Sequence, residues 1–299
     1  MDFIGNKKAV DVLQKSIKNA ALNHAYLFSG PERVGKFTLA KMFALSAIAG
    51  AQLSLDVELE NKDALLDLII VEPEIVTKNG ISKQRDISIE SVRDAKQSLS
   101  LYPYHGKYKI LIINDAHKLN VSAQNALLKI LEEPNQTTIL ILVTSEIDRI
   151  LPTMLSRLQV INFGLVRDED MQIGFGGNFS FQKDCIELSI GRPGLAQFLN
   201  ENIEEKNFRM DALLEFEKIK KGSLNDKFKL AEELSKDAVR TLDKLNIWMW
   251  EIRKLGISGE NQQGIVACCH IDKIQKSMAI LKRTNANSRL ILETLFMDL

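Results

Sequence analysis

The segment from Ala25 to Ala44 limits the fold more than any other part of the chain. Ala25-Tyr-Leu-Phe-Ser29 is a short apolar run that reads as a buried strand. Gly30-Pro-Glu-Arg-Val-Gly-Lys-Phe37 follows, and then Leu39, Ala40, Phe43 and Ala44 recur at helical spacing. Strand, glycine loop and helix, in that order, are the parts of a phosphate-binding loop, because the helix N-terminus adds its dipole and its free amides. The spacing is that of Gly-x-x-x-x-Gly-Lys-[Ser/Thr]. Gly30 and Gly35 supply the positive φ that lets amides curl round a phosphate, and Lys36 reaches toward phosphate oxygens. The last position should carry a hydroxyl for Mg²⁺, but here it is Phe37, and Thr38 stands about 100° further round the helix. The loop has the residues to hold phosphate and lacks the metal ligand. That points to a nucleotide-type fold that does not itself hydrolyse nucleotide. The competing reading of the glycines is a plain strand-to-helix turn.

A second segment repeats the pattern. Residues 110 to 115 read Ile-Leu-Ile-Ile-Asn-Asp. The strand beside a working phosphate loop ends in an acidic pair whose first member holds Mg²⁺. Here that member is Asn114, followed by Asp115, and an amide lacks the charge that Mg²⁺ favours. Phe37 and Asn114 thus weaken one function at two distant places, although Asn114-Asp115 alone would also suit a strand-terminal turn.

Strand candidates Ala25–Ser29, Leu66–Val71, Lys109–Ile113, Ile139–Val143 and Gln159–Phe163 alternate with helical patterns, which predicts a mostly parallel five-stranded sheet with helices on both faces. Helices are predicted over Lys7–Leu22, from Ser88 and Glu90 to near Tyr102-Pro103, and from an Asn120 cap to Pro134. Ala51–Lys62 is acidic and weakly patterned, and Gly174–Asn178 reads as a loop. Two short helical stretches follow, around Asp184–Ile190 and Gly194–Asn200. Beyond about residue 205 only helix stripes appear: Leu224, Phe228, Ala231 and Leu234, then Ala238, Leu242, Leu245, Met249 and Ile252, then Ile271, Ile274, Met278 and Leu281. Three parts are expected: an α/β domain over 1–165, a small helical domain over 166–204 and an all-α domain over 205–299.

The 39 basic and 39 acidic side chains balance. A protein gripping DNA alone through many phosphates would be basic, so any DNA contact would need partners. No run reaches the roughly 18–20 apolar residues of a membrane span, and Met1-Asp-Phe-Ile-Gly-Asn-Lys-Lys8 has no signal-peptide pattern. A cytoplasmic location is expected. Three cysteines, two of them adjacent, do not make a disulfide framework. Cys268-Cys269-His270 reads as small buried side chains, because contiguous helix positions point apart.

Together these pieces carry a resemblance along essentially the whole chain. His24-Ala-Tyr-Leu-Phe-Ser-Gly-Pro31, Gly35-Lys36, Ala116-His-Lys-Leu-Asn120, Asn125-Ala-Leu-Leu-Lys-Ile-Leu-Glu-Glu-Pro134, Leu151-Pro-Thr-Met-Leu-Ser-Arg157 and Asn285-Ala-Asn-Ser-Arg-Leu-Ile-Leu-Glu293 resemble the bacterial clamp-loader branch of the AAA+ ATPases. The Asn-Ala-Leu-Leu-Lys-x-Leu-Glu-Glu-Pro run is specific to that branch. The resemblance implies an α/β P-loop AAA+ domain, a helical lid and a helical collar that mediates assembly. It implies a ring of five subunits, made with clamp-loader motor subunits and a delta subunit, that places a sliding clamp on primed DNA.

Within such a ring the chain resembles the stator, without hydrolysis of its own. It would lend Arg157 as an arginine finger in trans to a neighbour's ATP, and a guanidinium fork suits γ-phosphate oxygens. Leu158 stands where the family usually has Cys. Gly30, Pro31, Gly35, Lys36 and Thr38 would form a weak or vestigial ATP/ADP site, with Thr144 at the first sensor position. The second sensor position falls on Gly194, with Arg192 two residues away. No cofactor is required. No metal is expected, and residues 45–75 contain no cysteine, so zinc is not expected either. His24 and His117 read as packing and capping residues. The alternative is an active AAA+ motor subunit or another DNA-remodelling ATPase, which the intact Gly30, Gly35 and Lys36 keep open.

Overall fold

The computed structural model describes residues 3–53, 62–78, 81–104, 106–176, 183–258, 261–283 and 287–299. The chain divides into two compact units, one of residues 1–180 with 191–195 and one of residues 181–190 with 196–299.

The first unit contains α1 (Lys7–Lys18), β1 (Ala25–Ser29), α2 (Lys36–Ala49), β2 (Leu68–Val71), β3 (Ile75–Lys78), β4 (Ile81–Gln84), α3 (Ile89–Leu99), β5 (Lys109–Ile113), α4 (Val121–Glu132), β6 (Thr138–Thr144), α5 (Pro152–Leu155), β7 (Gln159–Asn162) and α6 (Asp168–Phe175). Five strands form one sheet in the order β2-β5-β6-β1-β7, and every pairing in it is parallel. β1, β5 and β6 are buried along their whole length. Their alternate side chains serve two cores. Tyr26, Phe28, Ile110, Ile112, Ile139, Ile141 and Val143 pack with residues of α1 and α2. Ala25, Leu27, Leu111, Ile113, Leu140 and Leu142 pack with residues of α3, α4 and α5. A sheet covered on both faces explains why these strands read as continuous apolar runs rather than as alternation.

Helix starts follow the predicted caps. Ser88 Oγ accepts from the Ser91 amide (3.1 Å), and Asn120 Oδ1 accepts from the Ala123 amide (2.8 Å). Several boundaries shift. α1 stops at Lys18 and α3 at Leu99, both earlier than predicted, and Lys62–Asp67 is a 3-10 turn ahead of β2. Gly174 is not in a loop: it lies within α6, which runs to Phe175, while Asn178 is outside the described residues. Most of Ala51–Lys62 is also outside them. The antiparallel β3–β4 hairpin was not anticipated. Its sequence signal was Asn79-Gly80, the dipeptide that favours tight hairpin turns.

The second unit is helical. It holds α7 (Lys183–Ser189), most of α8 (Pro193–Glu201), α9 (Ile203–Lys221), α10 (Leu224–Leu234), α11 (Ala238–Ser258), α12 (Asn261–Arg283) and α13 (Ser288–Asp298). Its core centres on Trp248, which is fully buried. The indole lies 5.8 Å from Phe216 and 5.7 Å from Phe296, centroid to centroid, and its Nε1 donates to the Ala212 carbonyl (2.6 Å). Leu245, Ile252, Ile274 and Met278 of the predicted stripes are buried there, whereas Leu224 is exposed at the first residue of its helix. Cys268 and Cys269 are exposed, which corrects the expectation of burial. The inward face of that turn belongs to Ala267, with Ile274 and Met278 further along. Cys268 and Cys269 are therefore rotated about 100° and 200° away from it. Among the described residues, no group of His, Cys, Asp and Glu is arranged to hold a metal, and no helix is long and apolar enough to cross a membrane.

Candidate functional site

The phosphate loop joins the C-terminal end of β1 to α2. Gly30 has φ 150°, and a Cβ there would stand 2.3 Å from the Phe163 carbonyl oxygen. Gly35 caps α2 at φ 94°, with the Phe3 ring 2.9 Å from where its Cβ would be. Both positions therefore need glycine, on backbone and steric grounds. Val34 is fully buried and pins the loop from below.

Lys36 is only 7% exposed. Its Nζ donates to the Pro31 carbonyl (2.5 Å) and to the Gly30 carbonyl (2.7 Å). Burial pulls its pKa down to about 8, opposed by the negative charges of Glu32 and Asp115 and aided by the positive charge of Arg192. The lysine is therefore still charged near neutral pH, and it is turned onto carbonyls of its own loop.

The two metal-directed positions carry no suitable oxygen. Phe37 is half-buried against the α1–α2 core, with Lys41 Nζ 4.6 Å from its ring centre. Thr38 is exposed on the first turn of α2. Asn114 ends β5. Its amide nitrogen donates to the Val71 carbonyl (2.9 Å), and its Nδ2 donates to Glu72 Oε1 (3.0 Å). These side chains do not fit the Mg²⁺ ion of an active loop, and no catalytic step is derived through it.

Thr144 ends β6 opposite Ser29 in the register. It is fully buried, and its carbonyl accepts from the Gly30 amide (3.3 Å). Its hydroxyl is engaged locally, donating to the Glu146 carbonyl (3.2 Å) and accepting from the Glu146 amide (3.1 Å). The structure also brings residues 192–194 to the loop. The Gly194 amide donates to the Arg33 carbonyl (2.9 Å), and Arg192 is near enough to act on Lys36. His117 is buried in a 3-10 turn, with its Nε2 4.0 Å from Glu146 and no hydrogen-bond partner at Nδ1. Desolvation lowers its pKa, so it packs as a neutral ring and caps no helix. His24 is exposed, and its carbonyl accepts from the Leu140 amide (2.8 Å).

Arg157 follows α5 and precedes β7, held between the buried Met154 and Leu158. Its side chain is 37% exposed and lies 3.1 Å from Glu132 Oε1 through Nη2. Nη1 donates to the Thr153 carbonyl (2.7 Å) and to Ser156 Oγ (3.3 Å). β7 runs parallel to β1 with Gln159 beside Tyr26. Arg157 is therefore at the N-terminal end of the strands and the phosphate loop at the C-terminal end. The intervening strand length is roughly 13 Å, so this arginine faces away from its own loop. Phe3, Glu72 and Glu132 were not singled out from the sequence. Phe3 carries no spacing signal, and Glu132 was visible only as one letter of a longer run.

A parallel sheet in the order β7-β1-β6-β5-β2, a glycine loop between β1 and α2 and a helical C-terminal part define an α/β P-loop protein of the AAA+ class. The family described as DNA polymerase III, delta subunit, matches residues 5–166, over half the chain, and the chain belongs to that family of clamp-loader AAA+ subunits. DNA polymerase III subunit tau of Bacillus subtilis is 32% identical over 168 residues, covering 54% of this chain and 28% of the relative. Subunit tau/gamma of Haemophilus influenzae is 28% identical over 239 residues, covering 78% of this chain and 30% of the relative. The chain thus spans less than a third of either relative. A solved DNA polymerase III gamma subunit-related protein from Thermotoga maritima aligns with TM-score 0.46 at 16% identity, covering 97% of both chains. The RuvB Holliday junction branch migration motor of the same organism aligns with TM-score 0.45 at 16% identity, covering 68% of this chain and 63% of that one.

Proposed function

We propose that this chain is the delta-prime subunit, the stator, of a DNA polymerase III clamp loader, and that it does not hydrolyse ATP itself. The observation that carries this is the pair Phe37 and Asn114. One puts an aromatic ring and the other an uncharged amide where an active loop needs metal-directed oxygens, and Lys36 is turned onto its own loop carbonyls. Nucleotide binding, if retained through the loop amides, is weak and gains little from Mg²⁺. In this reading the chain joins motor subunits and a delta subunit in a five-subunit ring in the cytoplasm, and it reaches the sliding clamp and primed DNA through that ring. Residues 1–165 are the AAA+ domain, 166–204 the lid and 205–299 the collar. Arg157 projects from the α/β domain as the finger for a neighbour's γ-phosphate, where such groups contribute about 10³ to 10⁵ in rate.

The direct test is the ATPase rate of the isolated chain, with and without primed DNA. The reading expects no turnover above background. A DNA-stimulated rate of the order of 1 s⁻¹, within the ordinary enzyme range, supports the second reading, an active motor subunit. That reading is favoured by the intact Gly30, Gly35 and Lys36 and by relatives named tau and gamma.

A further inference from the structure

We propose that Glu132 is the positioning residue for Arg157, setting the direction in which the guanidinium meets a neighbour's phosphate. The proposal rests on the reading of Arg157 as a finger and adds to it the group that aims it.

Glu132 is the last residue of α4. A carboxylate there opposes the helix dipole, whose C-terminal end is negative, so helix stability does not explain its placement. Its carboxylate instead lies 3.1 Å from Arg157 Nη2, across 25 residues of sequence. The Thr153 carbonyl and Ser156 Oγ hold Nη1 on the same guanidinium. Three contacts engage three of the five N–H donors of an arginine, which leaves donors for phosphate oxygens while one edge is fixed.

The frame beneath this pair is rigid. Gln124, two turns before Glu132 on α4, is 2% exposed. Its Nε2 donates to the Leu119 carbonyl (3.1 Å) and the Arg149 carbonyl (3.0 Å), and its Oε1 accepts from the Leu151 amide (2.8 Å) at the entry to α5. One buried side chain therefore ties α4 to the segment that carries Arg157. With both elements locked, the Glu132 carboxylate selects one rotamer of a long, flexible side chain. Pre-setting that geometry matters because a displacement near 1 Å can cost about 100-fold in rate.

The test uses the complete ring reconstituted with wild-type chain, Arg157→Ala, Glu132→Ala, Glu132→Gln and the Glu132→Ala/Arg157→Ala double variant. Clamp-loading rate and ring ATPase are followed against ATP concentration, and ring assembly and melting temperature are followed in parallel. Glu132→Ala should lower the maximal rate roughly 5- to 50-fold, with KM for ATP and melting temperature nearly unchanged. Glu132→Gln, which keeps a neutral acceptor, should recover part of the loss. The double variant should be no slower than Arg157→Ala alone, because the aim of an absent arginine is irrelevant. A Glu132→Ala ring as fast as wild type or faster, or a double variant slower by the product of the single effects, overturns the proposal while leaving the finger intact. An Arg157→Ala ring that loads normally instead overturns the finger reading on which it stands.

Discussion

Lys36 and Arg157, two cations of the α/β unit, sit in opposite surroundings. Lys36 is 7% exposed, is held down to a pKa of about 8 and spends its donors on carbonyls of its own loop. Arg157 is partly exposed at the other end of the strands and is braced along one edge by Glu132 and Thr153. The first has the surroundings of a packed structural group and the second those of a presented one. In the proposed reading, the fold keeps its glycines for the backbone they allow, and the phosphate contact belongs to Arg157 at the other rim. On this account, Gly30 and Gly35 are explained by Phe163 and Phe3 packing against them, with or without a nucleotide.

In the proposed reading both cations act within an assembly joined by the helical unit, and the largest expected effect comes from that unit. Trp248→Ala removes the fully buried indole between Phe216 and Phe296 and should cost about 3–5 kcal/mol. Chemical denaturation of the isolated chain measures it, and the variant should also fail to enter the ring. A loss under about 1 kcal/mol would mean that the core of this unit lies elsewhere.

Next comes the charge on Lys36. Its folded pKa of about 8 lies below the ordinary lysine value of 10.5, so the folded state disfavours its proton. That penalty is complete below pH 8, shrinks as the pH rises from 8 to 10.5, and is absent above. Relative to Lys36→Met, the wild-type chain should therefore gain stability across that window, by roughly 3 kcal/mol at most. Parallel melting curves of the two proteins from pH 7 to 10.5 check the sign. A gap that does not change with pH would show that Lys36 is not the buried group described, and the contrast with Arg157 would weaken.

Gly30→Ala tests whether the loop is held by its backbone. The new Cβ meets the Phe163 carbonyl, and the strained φ adds to that. A loss of roughly 1–3 kcal/mol is expected in the same denaturation assay. The smallest effect is Asn120→Ala, which removes the cap of α4 and should cost about 1 kcal/mol in that assay. Ring loading should be unchanged, because Gln124 still holds the α4–α5 frame.

Much of the α/β unit was legible in the sequence. Its strands are apolar along their whole length because both faces of the sheet are covered, and Ser88 and Asn120 announce their helices by side-chain capping. The β3–β4 hairpin carries no long apolar run, and its sequence signal is the Asn79-Gly80 dipeptide. In the helical unit periodicity found the stripes but not their centre: Trp248 sits one residue off the marked Met249. Adjacency on a helix shows that Cys268 and Cys269 point apart but not which way, and Ala267 takes the inward position at that turn. At the candidate site, Phe37 and Asn114 could be read from spacing alone. The inward turn of Lys36 and the Glu132–Arg157 contact could not, since both depend on side-chain direction after distant segments have packed.

In the proposed reading this chain's own phosphate loop is dispensable and its arginine is not. The most direct measurement is the clamp-loading rate of complete rings carrying Lys36→Ala or Arg157→Ala, each verified as assembled. The account predicts that Lys36→Ala loads within about 3-fold of wild type, since nothing is hydrolysed at that loop. It predicts that Arg157→Ala falls by about 100-fold or more, in line with the loss of a trans arginine. The opposite order, with Lys36→Ala crippled and Arg157→Ala normal, would contradict it and make this chain a motor.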